Sequence, residues 1–309
     1  MKVSSIIRRI LPMTLKNYIR QFFRRNRLIA LVSPYLAECT CVDVGASYYP
    51  HSKWQFFLHS PNTLWIAVEP NEKNIAYIKS WSWPSKVKTI TTGLSQFGGL
   101  QTLYVTNVDS GSSLLEPVVK EGMSHRVKGK ALDYFFPLQK FEIDTFTLLD
   151  VVENASAPFF VKLDTQGTEL SILEGAHKLF EDRKILGIEM ESTLLAQPIM
   201  NGSKKFWEAC QYLEAVGFEL LDINPIRAPS SKPDSKRYLN ECDAVFALRR
   251  DVASSLPVNF RVCLFAFYLT NCLYEEAYLL LTEDSEVFEY FTSKKIKVEQ
   301  LVGIVSSLI

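Results

Sequence analysis

The chain has 309 residues, 47% hydrophobic and 22% charged, so it can bury a large core as one domain with extensions or as two domains. Its 34 basic and 34 acidic side chains balance, so there is no overall charge that would favour nucleic acid as a partner. The six cysteines include no CxxC pair and no accompanying histidine cluster, which argues against a zinc site and a disulfide framework.

The N-terminal segment is basic, and no acidic residue precedes Glu38. Between its arginines, apolar residues recur at helical spacing, which predicts one or two amphipathic helices. Two roles fit such a segment: packing on the main domain, or contact of residues 1–30 with an anionic membrane surface. No apolar stretch has the length of a signal peptide or a membrane span. We therefore predict a cytoplasmic protein, with peripheral contact at the inner membrane face under the second role.

From residue 39 the chain alternates short β-rich runs with helical ones. This alternation predicts an α/β fold with a doubly wound sheet, and two late strands without a helix between them predict an antiparallel edge. The predicted strands are CVDVGAS, LWIAVEP, KVKTITTGLS, an antiparallel addition GLQTLYVT, FFVKLDTQG, ILGIEMES, FELLDIN and CDAVFAL. The predicted helices between them are KWQFFLH, NEKNIAYIKSW, ELSILEGAHKLF and KKFWEACQYLEAVG.

After about residue 252 the pattern is helical again, with two predicted helices meeting near Thr270 and Asn271. We assign this segment to packing or to dimerisation, so a homo-oligomer is a further expectation. The patterns divide the chain into a basic amphipathic helical extension (1–37), an α/β domain (38–250) and a helical C-terminal appendage (251–309).

Two strand ends carry residues typical of a nucleotide-type ligand. Gly45 directly follows the first strand, where a glycine lets the backbone turn and approach a ligand; its ordinary alternative is a plain turn. Glu69 ends the second strand, where doubly wound folds place the acid that binds ribose hydroxyls; its alternative is a surface acid before Pro70. The GxGxxG fingerprint is absent, which argues against a nicotinamide-dependent oxidoreductase.

The run FFVKLDTQGTE carries a buried strand directly into polar residues. Lys162 and Asp164 are two residues apart, so they share a face of the strand, and its carboxyl end belongs at the ligand edge of the sheet. We assign Asp164 to the site, together with Glu189 at the end of a later strand. Glu169 fits a helix-capping role and a catalytic role equally well.

A series of seven short motifs occurs in one order along the chain. They are DVGA, VEPN, GLS, SSL, K-x-D-x-Q-G-x-E with L-E-G-A, GFELLDIN and CDAVFAL. Over roughly Leu36 to Leu248 the chain resembles the FkbM-type S-adenosylmethionine-dependent methyltransferases. The resemblance implies a Rossmann-like methyltransferase fold, S-adenosylmethionine as methyl donor, and a hydroxyl of a sugar or natural product as acceptor. The cofactor-binding residues expected on this basis are Asp43, Gly45, Ala46, Ser47, Glu69, Asn71 and Ser95.

One segment departs from that family. DVGA commonly continues there with N-x-G, whereas here residues Ser47–Trp54 are bulkier and lack a second glycine. This departure keeps open a second function, a degenerate methyltransferase-like domain that serves as a binding or scaffold protein.

Methyl transfer to an alcohol requires a base, because the hydroxyl is a poor nucleophile until its proton leaves. The catalytic candidates are His51, His125, Asp164 and Glu189, and the histidines have the more suitable ordinary pKa. Asp109, Asp164 and Glu189 could converge as oxygen ligands, but their spacing does not demand it, so we predict no metal. The expected partner is a hydroxylated small molecule or glycan, not a nucleic acid.

Overall fold

The computed structural model describes residues 13–50, 52–118, 135–227 and 239–309. Three short 3₁₀ segments lie at Ser33–Tyr35, Ser52–Trp54 and Asp109–Gly111. The strands are β1 (Cys39–Val44), β2 (Thr63–Val68), β3 (Lys86–Ile90), β4 (Gly93–Leu94), β5 (Gly99–Thr106), β6 (Pro137–Phe146), β7 (Phe159–Leu163), β8 (Ile185–Thr193), β9 (Phe218–Arg227) and β10 (Leu239–Leu248). The helices are α1 (Met13–Val32), α2 (Gln55–Leu58), α3 (Glu72–Lys79), α4 (Leu148–Val152), α5 (Glu169–Gly175), α6 (His177–Glu181), α7 (Phe206–Ala215), α8 (Arg250–Ala253), α9 (Val258–Thr270), α10 (Tyr274–Glu283), α11 (Ser285–Ser293) and α12 (Val298–Ser306).

The main sheet has seven strands in the order β3-β2-β1-β7-β8-β10-β9. The first five run parallel, while β10 is antiparallel to both of its neighbours. Every residue of β1 is buried, as expected for a parallel strand covered on both faces. The predicted doubly wound sheet with an antiparallel edge is therefore confirmed.

The register of the central strands fixes which residues meet at the ligand edge. Val44, the last residue of β1, is paired with Val68 at the end of β2 and with Leu163 at the end of β7. Parallel strands end at the same edge, so the residues that follow these three positions emerge side by side.

A second sheet of three strands, in the order β4-β6-β5, was not predicted as a separate unit. The expected antiparallel addition, GLQTLYVT, forms β5, but it pairs with β6 instead of joining the main sheet. β6 was not predicted, because it has no continuous apolar run, and most of its residues are exposed in the structure. Such a strand gains its order from its partner more than from its own burial.

The C-terminal helices pack on the main sheet. In α9 every residue from Arg261 to Thr270 is buried, and the ring of Phe267 stacks on Phe160 of β7 with centroids 5.2 Å apart. At Gly187 of β8, an added Cβ would lie 2.7 Å from the same Phe267 ring. Residues on both sides of the predicted boundary at residue 251 therefore contribute to one continuous core. The predicted junction near Thr270 agrees with the end of α9.

Among the α1 side chains that the structure describes, those buried in this core are Leu28, Ile29 and Val32, near the C-terminal end of the helix. Within the described ranges, none of the helices combines the length and the apolar character needed to cross a lipid bilayer.

Candidate active site

The tips of β1, β2 and β7 meet at one cavity of about 740 Å³. Gly45, Glu69 and Asp164, the residues that directly follow these strands, all line it. The volume falls within the range of about 300–1,000 Å³ typical of small-molecule pockets. The three strand ends singled out from the sequence are thus brought together.

Position 45 must be a glycine because the backbone that follows β7 lies directly against it. Its φ is +75°, and a Cβ at this position would lie only 1.9 Å from the carbonyl oxygen of Asp164. The Gly45 N–H donates to the carbonyl of Val68 at 3.0 Å, so the turn is held on the β2 side too. The expectation that this glycine makes room for a ligand is therefore incomplete: it first lets β1 and β7 approach, and it then forms part of the cavity wall.

The Glu69 carboxylate connects the loops that follow β1 and β2. One oxygen accepts from the Ser47 N–H at 2.8 Å, and the other accepts from the Asn71 N–H at 2.9 Å. Burial raises the pKa of Glu69, and these two backbone hydrogen bonds oppose that rise. The Asn74 side chain forms a third hydrogen bond to this carboxylate. A carboxylate has about four acceptor sites, so Glu69 can still accept from a hydroxyl group of a ligand.

Tyr48 closes this arrangement from the other side. Its hydroxyl donates to the Asp109 carboxylate, with distances of 2.6 and 2.8 Å to the two oxygens. The Asn71 side-chain amide donates to the same carboxylate at 3.2 Å. We call these contacts the Tyr48–Asp109 clasp. With Glu69, they tie the loops after β1, β2 and β5 into one hydrogen-bonded ring beside the cavity.

The described residues of the unusual segment Ser47–Trp54 do not fill the cavity. Tyr48 packs edge-on against Tyr77 of α3, and Tyr49 packs edge-on against Trp81. Of the described residues in this segment, only Ser47 belongs to the cavity wall. The bulk that replaces the second glycine therefore lies against α3 and the turn after it.

An apolar wall faces the polar strand tips. It comes from the inner face of the second sheet, with Leu103 and Val105 on β5 and Phe141 and Ile143 on β6. Leu103 pairs directly with Phe141, so both side chains point to the same side. Sequence reasoning missed this wall because residues 137–146 had no predicted strand; the alternation of Phe141 and Ile143 with charged residues was the available signal.

Below the cavity floor lies a buried ion pair. Asp43 is buried in β1, and its carboxylate is 3.2 Å from the Lys162 ammonium, which is also 3.9 Å from Asp164. Burial raises the pKa of Asp43, and the charge of Lys162 opposes this rise. For Lys162, burial alone would lower the pKa, but attraction to Asp43 and Asp164 leaves it above its ordinary value. Asp43 was expected to contact the cofactor directly, but it lies outside the cavity wall. Its contact is instead with Lys162.

The turn after β7 orients Asp164. Gln166 has a φ of +57°, and its side-chain amide donates to Asp164 at 3.0 Å and to Glu191 at 2.6 Å. Glu169 accepts from the backbone N–H groups of Thr165 at 2.8 Å and Gly167 at 2.9 Å. Of its two predicted roles, these contacts support the structural one, since the carboxylate caps the turn that presents Asp164.

Glu189 lies outside the cavity wall. It is buried, and its carboxylate contacts the Lys53 ammonium at 2.6 Å and accepts from the Trp54 indole N–H at 3.0 Å. These contacts hold residues Lys53 and Trp54 in place. The sequence predicted a different position for Glu189, in the site itself.

Ser95 and Ala46 are also absent from the described wall of the cavity. The Ser95 hydroxyl lies 2.8 Å from that of Thr145 and accepts from the Gly98 N–H at 3.0 Å, so it organises a turn of the second sheet. Ala46 is buried in the core. His51 and His125 lie outside the described residues.

Several wall residues were not assigned from the sequence. The hydroxyl of Ser113 donates to the Gln166 carbonyl at 2.9 Å, which joins the loop after β5 to the turn after β7. Among the described side chains, no group of three or more His, Cys, Asp or Glu could hold a metal ion. The additional wall residues with polar side chains include Glu72, Lys73, Asn74, Thr91, Thr92, Ser112 and Ser113.

Comparison with known protein families identifies the family of this chain. Residues 43–220, more than half of the chain, match the sequence profile of a family described as the methyltransferase FkbM domain. Among curated proteins, no sequence matches.

Solved structures give weak similarities. A precorrin-6y C5,15-methyltransferase from Geobacter metallireducens is 11% identical, covers 73% of this chain and 88% of its own, and has a TM-score of 0.35. An rRNA methylase from Streptococcus thermophilus is 9% identical; the match covers 74% of this chain and 96% of the methylase, with a TM-score of 0.31. The M. jannaschii protein TYW2, solved in complex with AdoMet, is 13% identical; the match covers 74% of this chain and 76% of TYW2, with a TM-score of 0.29. Scores this low carry no argument about the acceptor.

Proposed function

The chain belongs to the family of proteins with the methyltransferase FkbM domain, and on this premise we propose that it is an S-adenosylmethionine-dependent O-methyltransferase. Its acceptor is a hydroxyl of a sugar, a polysaccharide or a natural product. The observation that carries the proposal is the convergence of Gly45, Glu69 and Asp164 on one cavity between polar strand tips and an apolar wall.

The residues present fit this donor in size and charge. Among the described wall residues, the acids Glu69, Glu72, Asp109 and Asp164 face a single lysine, Lys73. Opposite charges attract more strongly in a partly buried site than in water, so this wall favours a cationic ligand with hydroxyl groups. When bound, S-adenosylmethionine supplies a methyl group on a positively charged sulfur.

The chain's own residues would hold the donor as follows. Glu69 accepts from a ribose hydroxyl with the acceptor site that Ser47, Asn71 and Asn74 leave open. Gly45 and Ser47 also line the cavity. The apolar wall, including Leu103, keeps water away from the opposite side and so strengthens these polar contacts.

Asp164 is the proposed general base. Asp164 lines the cavity, and its side chain is 41% exposed, so an acceptor hydroxyl can reach its carboxylate. Gln166 donates to it at 3.0 Å and Lys162 lies 3.9 Å away, which fixes its orientation. A base within hydrogen-bond reach contributes about 10²–10⁴-fold to the rate, and alignment of the reactants contributes up to about 7–11 kcal/mol.

The alternative is a degenerate methyltransferase-like domain that serves as a binding or scaffold protein. The unusual Ser47–Trp54 segment motivates it. The two functions differ in one observable, because a scaffold can bind the donor without producing a methylated product. An NAD-dependent oxidoreductase is weaker still, since the GxGxxG fingerprint is absent.

The test has two stages. Calorimetry on the full chain should detect S-adenosylmethionine binding, and Glu69→Ala should abolish it; absence of binding by the parent chain would refute the proposal. Mass spectrometry of polysaccharides and small metabolites, from cells with and without the gene, should then reveal one missing methyl group. Donor binding without any methylated product would favour the scaffold alternative.

The expectations on partners and location belong to this proposal. We propose a cytoplasmic protein that needs no metal, does not use nucleic acid as acceptor, forms a homo-oligomer, and touches the inner membrane face through residues 1–30. Incubation with labelled donor, with and without a chelator, in the presence of either RNA or glycan extracts, tests the metal and acceptor expectations directly. Light scattering of the purified chain tests the oligomer.

A further inference from the structure

One turn in the middle of α1 is exposed on all sides. The four consecutive residues Arg20, Gln21, Phe22 and Phe23 are all exposed. A helical turn contains 3.6 residues, so four exposed neighbours in a row mean that no part of the described chain covers any side of this turn. By contrast, Leu28 and Val32 in the last turns are fully buried.

The exposed turn carries an aromatic pair. Phe22 is 54% exposed and Phe23 is 66% exposed, and their rings contact each other edge-on at 5.8 Å. Leu15, seven residues before Phe22 and therefore on the same helix face, is 41% exposed. Single exposed apolar residues are common, but two exposed aromatic rings in contact, with an exposed leucine on the same helix face, are typical of an interaction surface.

Basic residues flank this patch. Arg20, Phe23 and Arg27 are spaced three and four residues apart, so they form one exposed stripe beside the Leu15–Phe22 face. Within the described part of the chain, neither of these arginines takes part in an ion pair. No acidic residue precedes Glu38, so nothing in the N-terminal sequence offsets their charge.

The other two arginines of this region are used inside the protein. The Arg24 guanidinium donates to the Ser307 carbonyl at 2.6 Å. Arg25 donates to the Lys53 carbonyl at 2.7 Å and lies over the ring of Phe56. These contacts hold the second half of α1 against the core, so the exposed turn projects from a fixed base.

From this arrangement we infer that Leu15, Phe22, Phe23, Arg20 and Arg27 form a lipid-binding surface for anionic membranes, which we call the α1 surface. Apolar side chains enter the boundary between headgroups and acyl chains, while the arginines meet anionic headgroups. A soluble polyanion such as RNA would use the charges but has less need of an adjoining aliphatic and aromatic face. The α1 surface is independent of the proposed methyl transfer, because none of its residues lines the active-site cavity.

Co-sedimentation of the full chain with vesicles tests the α1 surface. The vesicles are phosphatidylcholine alone, or phosphatidylcholine with phosphatidylglycerol. We expect binding to the anionic vesicles only, weakened by salt. Phe22→Ser with Phe23→Ser, and separately Arg20→Gln with Arg27→Gln, should each lower the partition coefficient about tenfold or more.

Matched controls come from exposed residues elsewhere. Phe97 is 83% exposed and Leu138 is 62% exposed, so Phe97→Ser with Leu138→Ser removes apolar surface of similar extent. Lys86 and Lys88 on the edge strand β3 are exposed and control for the loss of two charges. Neither control should change vesicle binding, and circular dichroism should show that all variants keep the fold.

Three outcomes would overturn the inference. The first is no binding of the parent chain to anionic vesicles. The second is unchanged binding by the double serine variant. The third is binding to heparin or single-stranded RNA that depends on Arg20 and Arg27, with no binding to vesicles, which would identify a soluble polyanion as the partner.

Discussion

The hydroxyl of Tyr48 lies 2.6 and 2.8 Å from the two carboxylate oxygens of Asp109, two residues that are 61 positions apart. This contact joins the loop after β1 to the loop after β5, and Asp109 itself lines the cavity. Since Asp109 also accepts from Asn71 at 3.2 Å, the clasp holds three loops in the arrangement that the donor would meet.

We predict that Tyr48→Phe weakens S-adenosylmethionine binding by about tenfold, because a hydrogen bond to a charged group contributes about 1.5–3 kcal/mol. Calorimetry measures the change. Tyr49→Phe is the matched control, since the Tyr49 ring packs against Trp81 and should keep its affinity. Equal affinities for the parent chain and Tyr48→Phe would show that the clasp does not retain the donor.

Asp164→Asn should separate catalysis from binding. The amide keeps the size of the carboxylate but is a poor base, so we expect kcat to fall by about 10²-fold or more. The dissociation constant of the donor should change by less than about threefold. Asp144→Asn, an exposed acid on β6, controls for the loss of one negative charge. Full activity of Asp164→Asn in a methyl-transfer assay would assign the base to another residue.

Stability should fall as pH rises, because of Glu191. Burial, and then repulsion by Asp164, raises the pKa of Glu191 from 4.5 to about 10. Between these values the folded chain keeps the proton and the unfolded chain releases it, so higher pH favours unfolding. Glu241 acts in the same direction up to about pH 7, because burial and the charge of Glu169 raise its pKa to about 7.

Glu191→Gln cannot ionise and should therefore remove part of this dependence. We expect its Tm to exceed that of the parent chain by about 3 °C or more at pH 8.5, with a smaller difference near pH 5. Thermal denaturation followed by circular dichroism measures both values. The exposed Glu142→Gln should show no pH-dependent gain; a constant difference for Glu191→Gln across pH would contradict the raised pKa.

The contact between α9 and the main sheet can be tested at Gly187. A Cβ there would lie 2.7 Å from the Phe267 ring, so Gly187→Ala should lower the free energy of unfolding by about 1–3 kcal/mol. Gly303→Ala, in α12, is the control, because no atom lies within 4 Å of the added methyl. Alanine favours helix over glycine, so this variant should gain up to about 1 kcal/mol. Urea denaturation compares the two.

The sequence alone determined the α/β class, the antiparallel edge and the three strand tips. These features are encoded locally: parallel strands need continuous apolar runs, and the residues that follow them at the ligand edge are polar. Gly45, Glu69 and Asp164 could be assigned because each stands directly after such a run.

Only the tertiary structure decided which polar residues face the cavity. Asp43 is buried in a strand and forms an ion pair with Lys162. Glu189 accepts a hydrogen bond from Trp54, a residue 135 positions away. The apolar wall depends on β6, whose order comes from pairing with β5. Periodicity reports only the face on which a side chain lies, whereas its partner is set by packing between segments distant in the chain.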